Sequence, residues 1–340
     1  MPILLKKEII SATKTLHVFN LEHDLALAVG RGPYTPPAEV MRLRKEKSLL
    51  PAIYAEKGDF ILVRDSIPKS ELQLLPFYSM VEQKNIHPVY FNQLVDISGE
   101  VSKVLPWGWD YAIHQSMIEN GLSENLLPSK DTIDKIRILS HRRNTIPFRE
   151  TIAEILGEEI IYPAKEFRTV PEIENYLKQF PVSYFKAPWS SSGRGIVVSD
   201  HISRKGLLEW CHGIIRRQGS VIAEPAWDRI LDFATEWIIE KGTPVFLGYS
   251  VFETSSRGKY HGNISADNSI LLNIITSKIP SFHSGIIKAQ HSAIEKLISP
   301  YYEGYLGIDM LADSLGRINP CVELNLRLTM GHVSLLKNQN

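Results

Sequence analysis

The segment "CVELNLRLTMG" (321–331) carries a carboxylate, an amide and a guanidinium (Glu323, Asn325 and Arg327) on alternate residues. Alternate side chains of an extended strand share a face, so these three stand with Cys321, while Val322, Leu324, Leu326 and Leu328 take the opposite, core-facing side. Upstream, "GYLGIDML" sets Tyr305, Gly307 and Asp309 against the apolar Leu306, Ile308 and Met310. The two stretches read as strands joined at the turn-rich "SLG", which puts Asp309 one hairpin away from Glu323 and Asn325. Hard oxygen ligands of this kind suit a Mg²⁺ ion that shares its shell with water and phosphate oxygens. Arg327 could reach an anionic substrate or a transferring phosphoryl group. A half-exposed antiparallel sheet face has the same alternation, so this hairpin alone leaves both readings open.

Two further stretches have the composition of an anion site. In "YFKAPWSSSGRGIVV" (184–198), Lys186 precedes a loop of Ser190, Ser191, Ser192, Gly193, Arg194 and Gly195. Glycines let the backbone approach a phosphate, serine hydroxyls and successive N–H groups can cradle it, and the lysine adds a point charge. The loop matches neither a P-loop nor a full G-x-G-x-x-G, because Val198 stands at the third glycine; a flexible hairpin loop is the plain alternative. In "VIAEPAWDRILDFATEW" (221–237), one strand ends at Glu224 and another opens at Asp232, a geometry that can offer backbone groups to a purine edge and an acid to ribose hydroxyls. Pro225 has no N–H, so any donor there comes from a neighbour; an acidic strand connection is the plain alternative.

Taken in chain order, a lysine before a Ser/Gly loop, an acidic strand–linker–strand, and Asp309 followed by Glu323-x-Asn325-x-Arg327 resemble the ATP-grasp superfamily over roughly 130–335. The resemblance implies two α+β lobes clamping ATP, and usually the joining of a carboxylate to an amine or thiol through an acyl phosphate. It implies Lys186 on the α/β-phosphates, the 190–195 loop closing over the β/γ-phosphates, and Glu224 near the adenine amine with Asp232 on ribose. Asp309, Glu323 and Asn325 would hold one or two Mg²⁺ (or Mn²⁺) ions, with Arg327 and Lys186 acting on the phosphoryl group. Arg142 or Arg143, in "LSHRRNT", stands where the superfamily usually has a lysine facing the nucleotide. The chain departs from the pattern in that arginine, in Asp232 replacing the commoner glutamate, and in Pro225. A kinase-type phosphotransferase and a nucleotide-binding protein without turnover stay open beside the ligase. The expected partners are small-molecule carboxylates and amines or thiols, or a peptide; a homodimer is compatible with the resemblance.

Bulk properties agree with such a protein. In 340 residues, Lys+Arg and Asp+Glu balance at 38 each, so neither a basic surface for nucleic acid nor an acidic tail is expected. Two cysteines, Cys211 and Cys321, make no disulfide framework and have no metal-ligand spacing. "MPILLKKEII" lacks the features of a signal peptide, and no apolar run approaches the roughly 18–20 residues of a membrane span, so no membrane partner and a cytoplasmic location are expected.

The elements that must position these residues follow from apolar patterning. "TLHVFN" (15–20), "DFILVR" (59–64) and "HPVYFN" (87–92) read as buried strands of a Rossmann-like N-terminal α/β domain, 1–128. Glu22, His23, Asp24, Arg31 and Tyr34 follow its first strand and could face an acceptor cleft. A helix over 109–121 stops at Gly121, and a new one starts at Asp131. Beyond lies an α+β ATP-grasp domain, 129–340, with a small lid lobe over about 160–225 and a metal and phosphate lobe over about 226–340. "SILLNII" (269–275) is expected to be a strand, and "IIKAQHSAIEKLIS" (286–299) an amphipathic helix. The polar loop "SSRGKYHGN" (255–263), with Arg257, Lys259, Tyr260, His261 and Asn263, is a second candidate carboxylate-binding segment.

Overall fold

Strands form where β-branched and aromatic residues run together. The computed structural model describes residues 14–32, 34–64, 67–160, 163–190, 195–254 and 260–337. They divide into two units. One comprises residues up to Asn20 with Ala38–Pro106 and Ile113–Pro128, and the other comprises Leu21–Pro37, Trp107–Ala112 and Ser129–Asn340. Residues 21–37 and 107–112, expected within the N-terminal domain, therefore group with the C-terminal part of the chain.

In the first unit β1 (Lys14–Val18), β2 (Phe60–Leu62), β3 (His87–Val89) and β4 (Val101–Pro106) make a parallel sheet in the order β3-β2-β1-β4. β4 is a strand that the apolar patterning missed, because "VSKVLP" interrupts its apolar residues with an exposed Ser102 and Lys103. Leu49, Ile61, Val63 and Val81 are among the buried residues of its core.

The second unit holds two antiparallel sheets. β5 (Lys165–Phe167), β6 (Ser183–Lys186), β7 (Ile196–Val198) and β8 (Val221–Pro225) pair in the order β5-β8-β6-β7. The helices Val170–Gln179 and Arg204–Gln218 lay Ile173, Leu177, Leu207 and Cys211 into its core. The first of these helices is started by a capping box between Thr169 and Glu172. The larger sheet runs β11 (Tyr260–Asn263), β10 (Thr243–Thr254), β9 (Arg229–Glu240), β12 (Gly304–Asp313), β13 (Ile318–Asn325). Its core residues Trp237, Ile308 and Leu324 meet Phe148 and Ile152 of the Thr145–Leu156 helix and Ala289 of the Ser284–Leu297 helix.

Two sequence expectations are corrected. "SILLNII" is helical, within Asn268–Lys278: a short apolar run is ambiguous by period, and here Leu271 and Ile275, one turn apart, are the buried pair. The strict alternation of 321–328 also breaks. The register of β12 with β13 passes from Asp309↔Glu323 to Leu311↔Asn319, so β13 spends four residues against two. This bulge, at Pro320, turns Cys321 into the core with Ile308 and Leu324, and turns Val322 toward the pocket described below.

Phe148 is fully buried and joins the helix layer to the larger sheet. Phe148→Ala should lower stability by about 3–5 kcal/mol. Urea denaturation followed by circular dichroism tests this, and a loss below about 1 kcal/mol would show that the helix does not share the sheet's core.

Candidate functional site

β6 and β8 pair with Tyr184 opposite Glu224 and Lys186 opposite Ile222, which places Lys186 and Glu224 diagonally on one face. Both are buried, and Lys186 Nζ donates to Glu224 Oε1. The other carboxylate oxygen accepts from Arg149 Nη2 at 2.7 Å, and Arg149 Nε donates to the Cys321 carbonyl at 2.6 Å. Arg149 thus ties the smaller sheet to β13. Burial would push the Glu224 carboxyl up, but the Lys186 and Arg149 charges outweigh it and hold the group down at about 2. Lys186 is pulled below the usual lysine range by burial and by the Arg149 and Arg142 charges, against the opposing pull of Glu224. Glu224, expected beside an adenine amine, is therefore committed to two cations.

Arg142 is the arginine that joins this cluster. It donates from Nη1 to the Ala187 carbonyl (2.5 Å) and Ser190 Oγ (2.6 Å), and from Nη2 to Glu323 Oε1 (2.6 Å). Arg143 does not join; its half-exposed side chain lies 4.0 Å from Glu166. Ser190 and Gly195 are the described ends of the Ser/Gly loop, while Ser191, Ser192, Gly193 and Arg194 lie outside the described residues, as do 255–259 of the second polar loop. Ala187 N donates to the Gly195 carbonyl at 2.8 Å, and a Cβ on Gly195 would stand 2.3 Å from Ser190 Cβ, so this approach of the loop ends requires glycine.

The β12–β13 hairpin supplies the opposite charge. Asp309 and Glu323 are register partners, and so are Gly307 and Asn325. Burial, then the negative charges of Glu323 and Glu236, push the Asp309 carboxyl well above its usual range, while Arg327 and an Asn325 hydrogen bond oppose the rise. Arg327 is oriented by its neighbours: Nε lies 3.1 and 3.2 Å from the two Asp24 oxygens, and Nη2 donates to Asn325 Oδ1 at 2.8 Å. Burial would raise Asp24, but Arg327 and the neighbouring His23 hold it below the usual range.

Glu236, on β9 opposite Gly307, was missed in the sequence. Ser250 and Thr329 hydroxyls donate to its two oxygens at 2.9 Å, and His332 Nδ1 lies 3.0 Å away. Cβ atoms on Gly331 and Gly307 would approach its carboxylate to 1.9 and 2.9 Å, so two glycines make its room. The available signal was a carboxylate inside the otherwise apolar "FATEWII". Arg149 had a signal as well: it shares the buried helical stripe of Thr145, Phe148 and Ile152.

These groups line a pocket of about 260 Å³ between the two sheets of the second unit. Lys186 and Glu224 stand on the smaller sheet; Asp232, Glu236, Asp309, Glu323 and Asn325 stand on the larger one, with Arg327, Asp24, Trp107 and Trp227 also on the wall. Asp232 lies 3.4 Å from Arg229 Nη1. The donor set fits a divalent cation: two hard carboxylates face each other across a strand pair, and burial together with their repulsion raises one of them. Arg142 donates to Glu323 Oε1 rather than Oε2, and the Asn325 carbonyl keeps a second lone pair beside its bond from Arg327. Among the described residues no three His, Cys, Asp or Glu side chains form a metal-ligand group, so the set is two carboxylates and an amide. No helix among the described residues is long and apolar enough to cross a membrane.

No family model matches the sequence, and no curated protein is similar to it at the level of sequence. Solved structures match its fold. The biotin carboxylase–β,γ-ATP complex of Campylobacter jejuni superposes with a TM-score of 0.55 at 13% identity, over 96% of this chain and 70% of that one. The biotin carboxylase domain dimer of Hydrogenobacter thermophilus 2-oxoglutarate carboxylase, in complex with MgADP, ADP and bicarbonate, gives 0.53 at 12%, over 96% and 69%. Staphylococcus aureus N5-carboxyaminoimidazole synthetase complexed with ADP gives 0.52 at 11%, over 94% and 72%.

The chain has the ATP-grasp fold. The pocket between the two antiparallel sheets is the candidate site by its lining, and its charges are divided, with cations on the smaller sheet side and carboxylates on the hairpin. Glu224 is the hinge of that division. Its folded value near 2 lies below the ordinary value of about 4.3, so its contribution to stability is present above pH 4.3 and is lost as pH falls toward 2. Glu224→Gln should cost about 3–5 kcal/mol near neutrality and flatten the acid limb of the stability–pH curve. Urea midpoints from pH 7 to 2.5 test this; parallel curves for the two proteins would refute it.

Proposed function

We propose that this chain is an ATP- and Mg²⁺-dependent ligase that joins a carboxylate to an amine or thiol through an acyl phosphate. The observation that carries the reading is the divided pocket in this fold. A carboxylate pair with a raised member faces a buried lysine whose neighbourhood holds more cations than anions. A polyphosphate carrying a divalent cation is complementary to both halves at once.

On this reading Lys186 and Arg142 neutralise phosphate oxygens, and the Ser/Gly loop covers them. Asp309, Glu323 and Asn325 hold the cation, which when bound screens the charge of the phosphoryl group. Trp227 and Asp232 border the nucleoside. Phosphoryl transfer asks a protein chiefly for position and charge neutralisation. The bond from the terminal phosphorus to the ADP oxygen breaks as one to the acceptor carboxylate forms. The amine or thiol then attacks the acyl carbon, phosphate leaves with the C–O electron pair, and the nucleophile's proton passes to a base. Arg327, oriented by Asp24 and Asn325, is the group proposed to steady the acyl phosphate.

The test is ADP and phosphate release over pairs of acids and amines. Equal amounts of ADP and phosphate, formed only when both substrates are present, are expected. Lys186→Ala should lower kcat/KM by about 10²–10³-fold with the fold intact. A phosphorylated acid or alcohol as the end product, without need of a nucleophile, would instead show a phosphotransferase; no release from folded protein with any pair would overturn the ligase reading.

A further inference from the structure

Of Glu22, His23 and Asp24, the stretch expected to face an acceptor cleft, Asp24 is the one that lines the pocket; Glu22 and His23 are buried and do not. Its carboxylate takes the side-on edge of Arg327, 3.1 and 3.2 Å from Nε and 3.0 Å from Nη2. Both side chains line the pocket and both are accessible, Asp24 at 16% and Arg327 at 14%. The rest of the guanidinium is engaged by Asn325 Oδ1 and the Leu328 carbonyl, which leaves one N–H of Nη1 without a partner among the described residues. Asp24 accepts only from Arg327 among the described side chains, whereas a carboxylate offers about four acceptor sites. The surroundings are apolar. Leu328 N donates to the Trp107 carbonyl at 2.8 Å, which sets Trp107 beside Arg327, and the half-buried Leu21 and Met330 complete this part of the lining. All of these residues belong to the second unit.

Charge decides what this end of the pocket can take. The lining cations are Lys186, Arg229 and Arg327, and each stands beside a carboxylate: Glu224, Asp232 and Asp24 in turn. Burial opposes ionisation of Asp24, but the Arg327 charge outweighs it and keeps the group an anion near neutrality. On the ligase reading the acid's carboxylate comes to Arg327 to be phosphorylated. A carboxylate with no other charge would then meet the Asp24 anion on the same guanidinium, in a partly buried place where screening is weak. A cationic amine on the carbon beside that carboxylate removes the repulsion, because it donates to the Asp24 oxygens. The zwitterion and the Asp24–Arg327 pair are then two dipoles laid head to tail.

We infer that the acid substrate is an α-amino acid with an apolar side chain. Its ammonium donates to Asp24, its carboxylate lies at Arg327, and its side chain lies against Leu21, Trp107 and Met330. Asp24 is the residue that separates an amino acid from a plain acid. The fate of the carboxylate rests on the ligase reading; the binding preference does not.

Calorimetry on the full chain tests this, with Mg²⁺ and a non-hydrolysable ATP analogue present and absent. The probes are three pairs: L-alanine and propionate, L-leucine and 4-methylpentanoate, L-phenylalanine and 3-phenylpropionate. In at least one pair the amino acid should bind saturably and about tenfold or more tighter than its des-amino partner, as for a charge-assisted hydrogen bond. Asp24→Asn keeps the size of the side chain and removes its charge, so the preference within that pair should fall to about onefold. Damage to Arg327 alone would weaken both members and leave their ratio, so the ratio reads Asp24 itself. The N-acetyl form of the same amino acid removes the cation with Asp24 in place and should lose the preference in wild type, even where Asp24→Asn fails to fold. No saturable binding of any of the three amino acids, equal binding by the des-amino partners, or an unchanged preference in folded Asp24→Asn would overturn the assignment. Binding of the ATP analogue together with equal affinities in each pair would do so while leaving the ligase reading in place. An Asp24-dependent preference in protein that binds no ATP analogue would uphold the assignment and count against the nucleotide reading instead.

Discussion

Glu224 is a carboxylate taken out of water between two cations that belong to different layers of the second unit. Arg149 comes from a helix packed on the larger sheet, and Lys186 from the smaller one. A buried ion pair of this sort adds little net stability, because desolvation of both partners offsets their attraction. Its consequence is orientation. Removing Glu224 leaves two buried cations uncompensated, so the carboxylate holds the guanidinium, the ammonium and the β13 carbonyl that Arg149 also binds in one arrangement. The smaller sheet is thereby registered on the hairpin that carries Asp309 and Glu323.

The same constraint explains the division of charge. With two cations on one carboxylate, the Lys186 side carries an excess of positive charge, and Arg142 reaches from it to Glu323 at 2.6 Å. Across the pocket, Asp309 and Glu323 are paired by strand register with Glu236 behind them, and burial, then repulsion from both glutamates, raises Asp309. Arg327 opposes the rise without cancelling it, and Asp24 takes much of its guanidinium. The site is thus electrostatically incomplete in both halves and in opposite senses. Glycines at 307, 331 and 195 matter here as absences of side chain: they admit the Glu236 carboxylate and the close approach of the loop ends.

Much of this was legible in the sequence, for a physical reason. Strand alternation is local, so Asp309, Glu323, Asn325 and Arg327 could be assigned to one face from spacing alone, and Lys186 stood out against a Ser/Gly loop. What alternation cannot see is a bulge: Pro320 costs the ladder a hydrogen bond, and the resulting slip exchanged Cys321 and Val322 between core and pocket. Partnerships across long separations were also hidden. Nothing near Arg327 in the sequence announces Asp24, and Glu224 read as a nucleoside contact because its two cations lie elsewhere in the chain. Choosing between Arg142 and Arg143 required the turn geometry of residues 142–144, where only one side chain is buried. The helix at 268–278 was misread because a short run of isoleucine and leucine fits both periods.

The claim on which this account rests is that the two opposed charge excesses form one site for a metal–polyphosphate. Calorimetric titration with a non-hydrolysable ATP analogue, with and without Mg²⁺, measures it most directly, using wild type and the Glu323→Ala/Asn325→Ala double variant. The account predicts binding in wild type that requires Mg²⁺ and is lost in the double variant while its circular dichroism is unchanged. Absence of binding to folded wild type, or binding of equal strength in the double variant, would contradict it and return the hairpin to an ordinary polar sheet face.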